Sequence, residues 1–100
     1  MTAYVYIVRC ADGGLYVGLT RATLEKRLGE HNAGTYRGYT LKRRPVQLVW
    51  HVDCRMIVDA IAIERQLKRW TRAKKEALIA GDGALLRLLS KRKSGRKTVV

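Results

Sequence analysis

Hydrophobic residues near the start of the chain fall into two short runs, Tyr4 to Arg9 and Leu15 to Leu19, rich in β-branched and aromatic side chains. Such runs favour strands. Asp12-Gly13-Gly14 lies between them and is a hairpin signal, because glycine accepts positive φ without steric cost. Loop length then decides which side chains share a face. A two-residue loop at Asp12-Gly13 pairs Ala11 with Gly14 and sets Tyr6 and Tyr16 on opposite faces. A three-residue loop, Asp12-Gly13-Gly14, pairs Ala11 with Leu15 and puts Tyr6, Val8, Tyr16 and Gly18 on one face. A glycine in the third loop position suits a bulged turn and favours this second register. Two phenols then stand beside Gly18, a position without a side chain where a substrate backbone can approach.

The pattern then changes to helical spacing. Thr20 or Thr23 can cap a helix that runs to about Ala33, with Gly34 stopping it. Leu24 and Leu28 mark its core side, and Arg27 and His31, four residues apart, line the edge of that stripe. Glu30 can pair with Lys26 on the outer side. Residues 34–45, GTYRGYTLKRRP, read as a loop. Pro45 opens a third strand, Val46 to Val52, in which Gln47 and His51 break the apolar run; His51 reads as a satisfied strand side chain.

A long helix is expected from about Met56 to Trp70, with Ile57, Ala60, Ile61, Leu67 and Trp70 on its apolar face. Glu64 falls inside that stripe. A bare carboxylate in a dry core is costly or takes up a proton, so Glu64 needs a cation, a metal or a cleft. Lys68, one turn on, is a ready salt-bridge partner, and an ion pair and a functional carboxylate both stay open. Thr71 recaps the chain for a second helix, Arg72 to Ala80, with Ala73, Ala77 and Leu78 inward and Arg72, Lys74 and Lys75 outward. Gly81-Asp82-Gly83 ends it, and Ala84 to Leu89 forms a short helix. Lys91 to Lys97, KRKSGRK, reads as a flexible basic tail that adds non-specific attraction to nucleic acid. The expected fold is α+β: a small three-stranded antiparallel sheet flanked by helices over residues 1–82, with the short helix and tail at 83–100.

Composition changes this picture in one respect. Lys and Arg number 21 against 8 acids, a formal charge of +13. The excess is uneven: 9 basic and 5 acidic residues over positions 1–63, then 12 and 3 over 64–100. Such a balance favours a polyanionic partner, nucleic acid above all; the alternatives are a basic protein with a merely solvated surface and a ribosome-associated or membrane-surface protein. In the loop, Tyr36 and Tyr39 lie among Arg37, Lys42, Arg43 and Arg44, a mixture that suits base stacking and phosphate contact. The same residues also suit a basic surface loop whose tyrosines lean on the core. No apolar run approaches a membrane span and no signal-type segment opens the chain, so a cytoplasmic location is expected. Cys10 and Cys54 fit no zinc spacing and read as buried free thiols.

These residues resemble the GIY-YIG nuclease superfamily, and most nearly its small stand-alone bacterial branch. The second signature triplet reads Tyr16-Val17-Gly18; the first reads Tyr4-Val5-Tyr6, keeping its final tyrosine without the glycine. The helix Leu24 to His31 matches the pattern of Arg followed four residues on by His or Tyr, and Asn32 and Gly34 are similar to that branch. Glu64, in Ala62-Ile63-Glu64-Arg65-Gln66-Leu67-Lys68, resembles the metal-binding glutamate. The resemblance spans about residues 3 to 80 and implies metal-dependent hydrolysis of phosphodiester bonds. It implies that Glu64 holds one Mg²⁺ or Mn²⁺, with no other small-molecule cofactor. Tyr16 or Tyr6 would activate or position the attacking water, Arg27 would hold the scissile phosphate, and His31 would tune a tyrosine or relay a proton. Gly18 would permit close approach, and Arg21 stands near where several nucleases of the superfamily carry a lysine. With Tyr36, Arg37, Lys42, Arg43, Arg44 and Lys68 these make up the expected nucleic-acid surface.

Three functions follow. The first is a structure-selective or weakly specific DNA endonuclease in repair or recombination. The second is a non-catalytic nucleic-acid-binding protein on a nuclease scaffold, and the third an interaction module for another acidic partner. The set Tyr6, Tyr16, Arg27, His31 and Glu64 favours the first, because a pure binder has no need of a carboxylate that repels phosphate unless a metal intervenes.

Overall fold

The structure is a computed structural model that describes residues 2–35 and 38–88. It contains strands β1 (Ala3–Cys10), β2 (Leu15–Thr20) and β3 (Val46–Cys54), and helices α1 (Leu24–Ala33), α2 (Ile57–Arg69) and α3 (Arg72–Ala80). The strands form one antiparallel sheet in the order β2-β1-β3, so the fold is the three-stranded α+β arrangement that the pattern predicts. Two compact units divide the chain, Met1–Arg69 and Trp70–Val100.

The hairpin keeps the expected face but not the expected pairing. Tyr6 pairs with Gly18 and Val8 with Tyr16, so these four side-chain positions do share one face. The three-residue loop, however, is Ala11-Asp12-Gly13, one residue earlier than expected, and it shifts the pairing by two. The Gly13 N–H donates to the Cys10 carbonyl at 2.9 Å, and the Cys10 N–H donates to the Gly14 carbonyl at 2.8 Å. Gly13, at φ +86°, takes the left-handed position that closes this bulged turn. Asp12 fixes the turn further by accepting from the Gly14 N–H at 3.0 Å.

The β1–β3 pairing shifts register between Ile7 and Val8. Ile7 pairs with Trp50 and Val8 with Leu48, which leaves Val49 as the extra residue. Val46, Leu48, His51 and Asp53 therefore face the same way as Tyr6. Trp50, Val52 and Cys54 face the other way, with Val5 and Ile7. His51 is an exposed side chain of β3, and its Nδ1 lies 3.7 Å from Asp53.

Both faces of β1 are covered. Leu24 and Leu28 of α1 pack with Tyr6, Val8, Cys10 and Val46, joined by Tyr16 and Leu48. On the other face Val5 and Ile7 are fully buried and Val17 is 3 % exposed, and α2 approaches all three strands, with Ala60 and Leu67 buried. Each fully buried aliphatic side chain contributes about 1.5–3 kcal/mol. Cys10 and Cys54 are free and buried, and burial pushes both thiols above their ordinary value.

Thr23 caps α1 by accepting from the Lys26 N–H at 3.1 Å, and Gly34 closes it in the left-handed conformation at φ +81°. Asn32, in its last turn, clamps β3: its Oδ1 accepts from the Val46 N–H at 2.7 Å and its Nδ2 donates to the Val46 carbonyl at 3.2 Å. This clamp and the apolar contacts of Leu24 and Leu28 fix α1 above the tyrosine face.

In the second unit Thr71 caps α3, accepting from the Lys74 N–H at 3.2 Å, and Gly81 ends it, as the pattern predicts. Lys74 corrects the expected helix face. It is buried and Ala73 is exposed, because the inward line runs through positions 74 and 77. The Lys74 ammonium lies 5.3 Å from the centre of the Trp70 ring, where a long aliphatic stem and a cation–π contact make burial tolerable. Asp82 then accepts from the Leu85 N–H at 2.9 Å, and residues 83–88 are helical. Leu89 and the basic run Lys91 to Lys97 lie outside the described residues. Among the described residues no helix is long and apolar enough to cross a membrane.

Candidate active site

Tyr6 and His31 meet beneath the surface of the tyrosine face. The central strand supplies Tyr6 and the last turn of α1 supplies His31; each is 2 % exposed. The Tyr6 hydroxyl lies 2.9 Å from His31 Nε2. On the other side of the imidazole, Nδ1 lies 2.9 Å from the hydroxyl of Thr40, which is also 2 % exposed. Burial, then the positive charge of Arg27, pushes the His31 pKa below its ordinary value of 6.5, against a smaller upward pull from Glu30. His31 is therefore neutral at pH 7, with one ring nitrogen donating and the other accepting. Tyr6 and Thr40 take opposite roles: one hydroxyl donates to the ring and the other accepts from it.

Tyr16 joins them from β2. Its ring meets the His31 ring edge-on at 5.5 Å and 65°, and Tyr6 meets it likewise at 5.9 Å and 67°. Tyr39 stacks on Tyr16 at 6.0 Å and 23°, and the Arg43 guanidinium carbon lies 4.2 Å from the centre of the Tyr39 ring. Arg43 is ion-paired with Asp12 of the hairpin turn, and its carbonyl accepts from the Ala11 N–H at 2.9 Å. The Gly14 amide foremost, together with Arg43, holds the Asp12 carboxyl below its ordinary range.

Two glycines make room for this cluster. A Cβ on Gly18 would collide with the ring and hydroxyl of Tyr6, and one on Gly14 with the hydroxyl of Tyr39. The space over Gly18, expected for a substrate backbone, is thus filled by a phenol of the protein itself.

Arg27 lines a narrow apolar space with Tyr6, Val8, Leu24, Leu28 and Leu48. Glu30 pairs with Arg27 at 3.5 Å, and not with Lys26 as expected; both spacings bring side chains together on a helix. Glu64, on α2 between the buried Ala60 and Leu67, keeps 21 % of its side chain exposed and meets Lys68 Nζ at 2.9 Å. The ion pair foreseen for it is formed.

The other expected contacts are spread out. Arg21 is exposed past β2, and Lys42 is exposed in the Leu41–Arg43 turn. Arg44 is committed to the main chain, its Nε donating to the Leu41 carbonyl at 2.8 Å and its Nη1 to the Asn32 carbonyl at 3.5 Å. Tyr36 and Arg37 lie outside the described residues.

Residues 2–77 match the GIY-YIG catalytic domain. The chain belongs to the GIY-YIG family. GIY-YIG domains are, as a family, endonuclease domains that act on nucleic acid and generally use divalent metal ions. Within the family this chain is similar to the UPF0213 proteins, a name that states no activity. It is 45 % identical to one from Bacillus pumilus over 76 residues, covering 76 % of each chain. It is 47 % identical to one from Haloquadratum walsbyi, covering 75 % of this chain and 83 % of the relative. The solution structure of a UPF0213 protein from Bacillus halodurans aligns with a TM-score of 0.54 at 35 % identity, over 83 % of this chain and 87 % of that one. A solution structure from E. faecalis aligns with a TM-score of 0.57 at 36 % identity, over 81 % and 85 %.

Within the matched residues, Tyr6 and Tyr16 both contact His31, with Arg27 beside Tyr6. Among the described residues no three His, Cys, Asp or Glu side chains gather as a metal site. A lone carboxylate still suits Mg²⁺, which keeps several waters and takes one or two carboxylates together with substrate phosphates. Sequence reasoning missed Thr40 and the Asp12–Arg43 pair. Each depends on a contact between segments far apart in the chain, and no local spacing signals it.

Proposed function

We propose that the protein is a divalent-metal-dependent DNA endonuclease, cytoplasmic and selective for DNA structure, acting in repair or recombination. The buried hydrogen bond between Tyr6 and His31, in contact with Tyr16 and beside Arg27, carries this reading. Hydrolysis needs a deprotonated nucleophile, neutralised charge in the transition state and help for the leaving oxygen. Tyr16 is only half-buried, which supports its meeting the attacking water, whereas the burial of Tyr6 supports a relay behind it. A phenol of pKa about 10 is a poor base at pH 7. It becomes useful where a cation stabilises phenolate or an imidazole shares its proton. Arg27 supplies the cation and holds the scissile phosphate, and neutral His31 passes a proton to or from Tyr6. Glu64 would hold Mg²⁺ or Mn²⁺, which supplies charge neutralisation at the phosphoryl oxygens. Arg21 and Lys42 would attract the DNA backbone without reading its sequence, Lys68 would join them only where a metal takes over its Glu64 partner, and a domain this small favours recognition of shape.

A second reading, a non-catalytic nucleic-acid-binding protein, is favoured by the Glu64–Lys68 ion pair, which satisfies the carboxylate without metal. End-labelled single-stranded, duplex, flap and branched DNA, incubated with Mg²⁺, Mn²⁺ or EDTA, separates the two. Metal-dependent cuts that vanish in Glu64→Ala while binding persists support the nuclease. Binding without cuts on any substrate supports the second reading.

A further inference from the structure

Arg43 ends a line of ring contacts that starts at buried His31 and passes through Tyr16 and the exposed Tyr39. Its position is fixed from two sides. The main chain of the hairpin turn bonds to its carbonyl, and Asp12 pairs with its guanidinium. Asp12 is itself held by the Gly14 N–H. The side chain of Arg43 nevertheless remains 40 % exposed.

This pairing changes what Arg43 can offer a nucleic acid. A surface meant for phosphate gains nothing from a carboxylate, which repels it. With its charge answered by Asp12, Arg43 is a weak phosphate anchor, unlike Arg21 or Lys42. What remains is the face of the guanidinium turned away from Tyr39. Arginine planes stack on nucleobases, as aromatic rings do, without regard to which base is present. In a continuous duplex the base faces are occupied by their neighbours. The ligand must therefore present an unpaired base.

We propose that Arg43, held over Tyr39 by Asp12, is a stacking platform for an unpaired nucleobase next to the phosphate that is cut. The inference rests on the nuclease reading and narrows it to DNA with an unpaired nucleotide near the scissile bond: a flap, a branch or a single-stranded end. Asp12 acts as a positioning residue for the platform, and Tyr16 lies one ring inward from it.

The test is binding in EDTA, read by fluorescence anisotropy, to a flap substrate in which each unpaired nucleotide in turn is replaced by an abasic site. Removal of the base at one position should weaken wild-type binding about tenfold, as stacking of one base does. Arg43→Lys keeps the charge and loses the plane. It should bind the intact flap about tenfold more weakly, with the salt dependence unchanged, and should lose its sensitivity to the abasic site. Wild-type binding that is indifferent to every abasic replacement overturns the proposal without recourse to a variant. So does an Arg43→Lys protein that binds like wild type. Failure to bind any DNA would remove the nuclease reading too, whereas DNA binding without base sensitivity removes only the platform.

Discussion

The hydroxyl of Tyr6 and Nε2 of His31 are 2.9 Å apart in a site where both residues are 2 % exposed. Neither group can exchange its partner for bulk water. Replacing Tyr6 by Phe removes the hydroxyl and leaves a buried ring nitrogen unsatisfied, at a cost of about 1–3 kcal/mol in urea unfolding. If Tyr6 lies on the proton path, single-turnover cleavage also falls about 10²–10⁴-fold. Cleavage at the wild-type rate by Tyr6→Phe would exclude Tyr6 from that path.

The same logic applies at the far side of the imidazole. Thr40→Val keeps the shape of the side chain and removes the partner of Nδ1, and should cost about 1–3 kcal/mol. Thr40→Ser restores the hydroxyl and most of the stability. Nitrogen chemical shifts of the His31 ring report whether the tautomer is lost in the first variant and regained in the second.

Stability should fall as the solution is acidified. The folded pKa of His31 is depressed below 6.5, so the unfolded chain takes up a proton at this position before the folded protein does. The contribution is intact above the unfolded value and is lost as pH falls through the lower, folded value. Urea midpoints at pH 7.5 and at successively lower pH test the sign. His31→Gln should flatten the part of the slope that His31 causes.

Gly18→Ala should damage the site through Tyr6, because the new methyl occupies the space of the phenol. Overpacking of this kind costs about 1–3 kcal/mol. Thermal unfolding measures the loss, and Gly18→Ala combined with Tyr6→Ala should recover part of it. Additive losses in the double variant would contradict the steric explanation.

Asn32→Ala should loosen the attachment of α1 to β3. Both polar ends of the Asn32 side chain bond to the main chain of Val46, and their loss should cost about 1–3 kcal/mol. Amide exchange at Val46 is the local readout, and it should accelerate by more than exchange in the centre of β1.

Much of this site was legible because its parts obey short-range rules. Alternation placed Tyr6, Tyr16 and Gly18 on one face, and the four-residue spacing of Arg27 and His31 put them on one line of α1. Thr23, Gly34, Thr71 and Gly81 marked helix ends by their own chemistry. The turn was harder, because Gly13 and Gly14 can each take the left-handed position and only the closed hairpin shows that Gly13 does. The burial of Lys74 was hidden for a related reason: a shift of one residue in the inward line exchanges Lys74 for Ala73. The pairings of Thr40 with His31 and Arg43 with Asp12 join segments 9 and 31 residues apart, beyond any local pattern.

The extra residue in β3 has a further consequence for how little chain this fold needs. Read as an unbroken pleat, Val46, Leu48, Trp50, Val52 and Cys54 would all point one way, and Gln47, His51 and Asp53 the other. That is an edge strand with a single oily side. The shift at Val49 divides the oily side in two, giving Val46 and Leu48 to the tyrosine site and Trp50, Val52 and Cys54 to the opposite layer. One peripheral strand thereby furnishes both interiors, a task that would otherwise fall to a fourth strand. Removing Val49 should leave both halves facing as they do, because Leu48 opposite Val8 and Trp50 opposite Ile7 would then follow one another in a regular ladder.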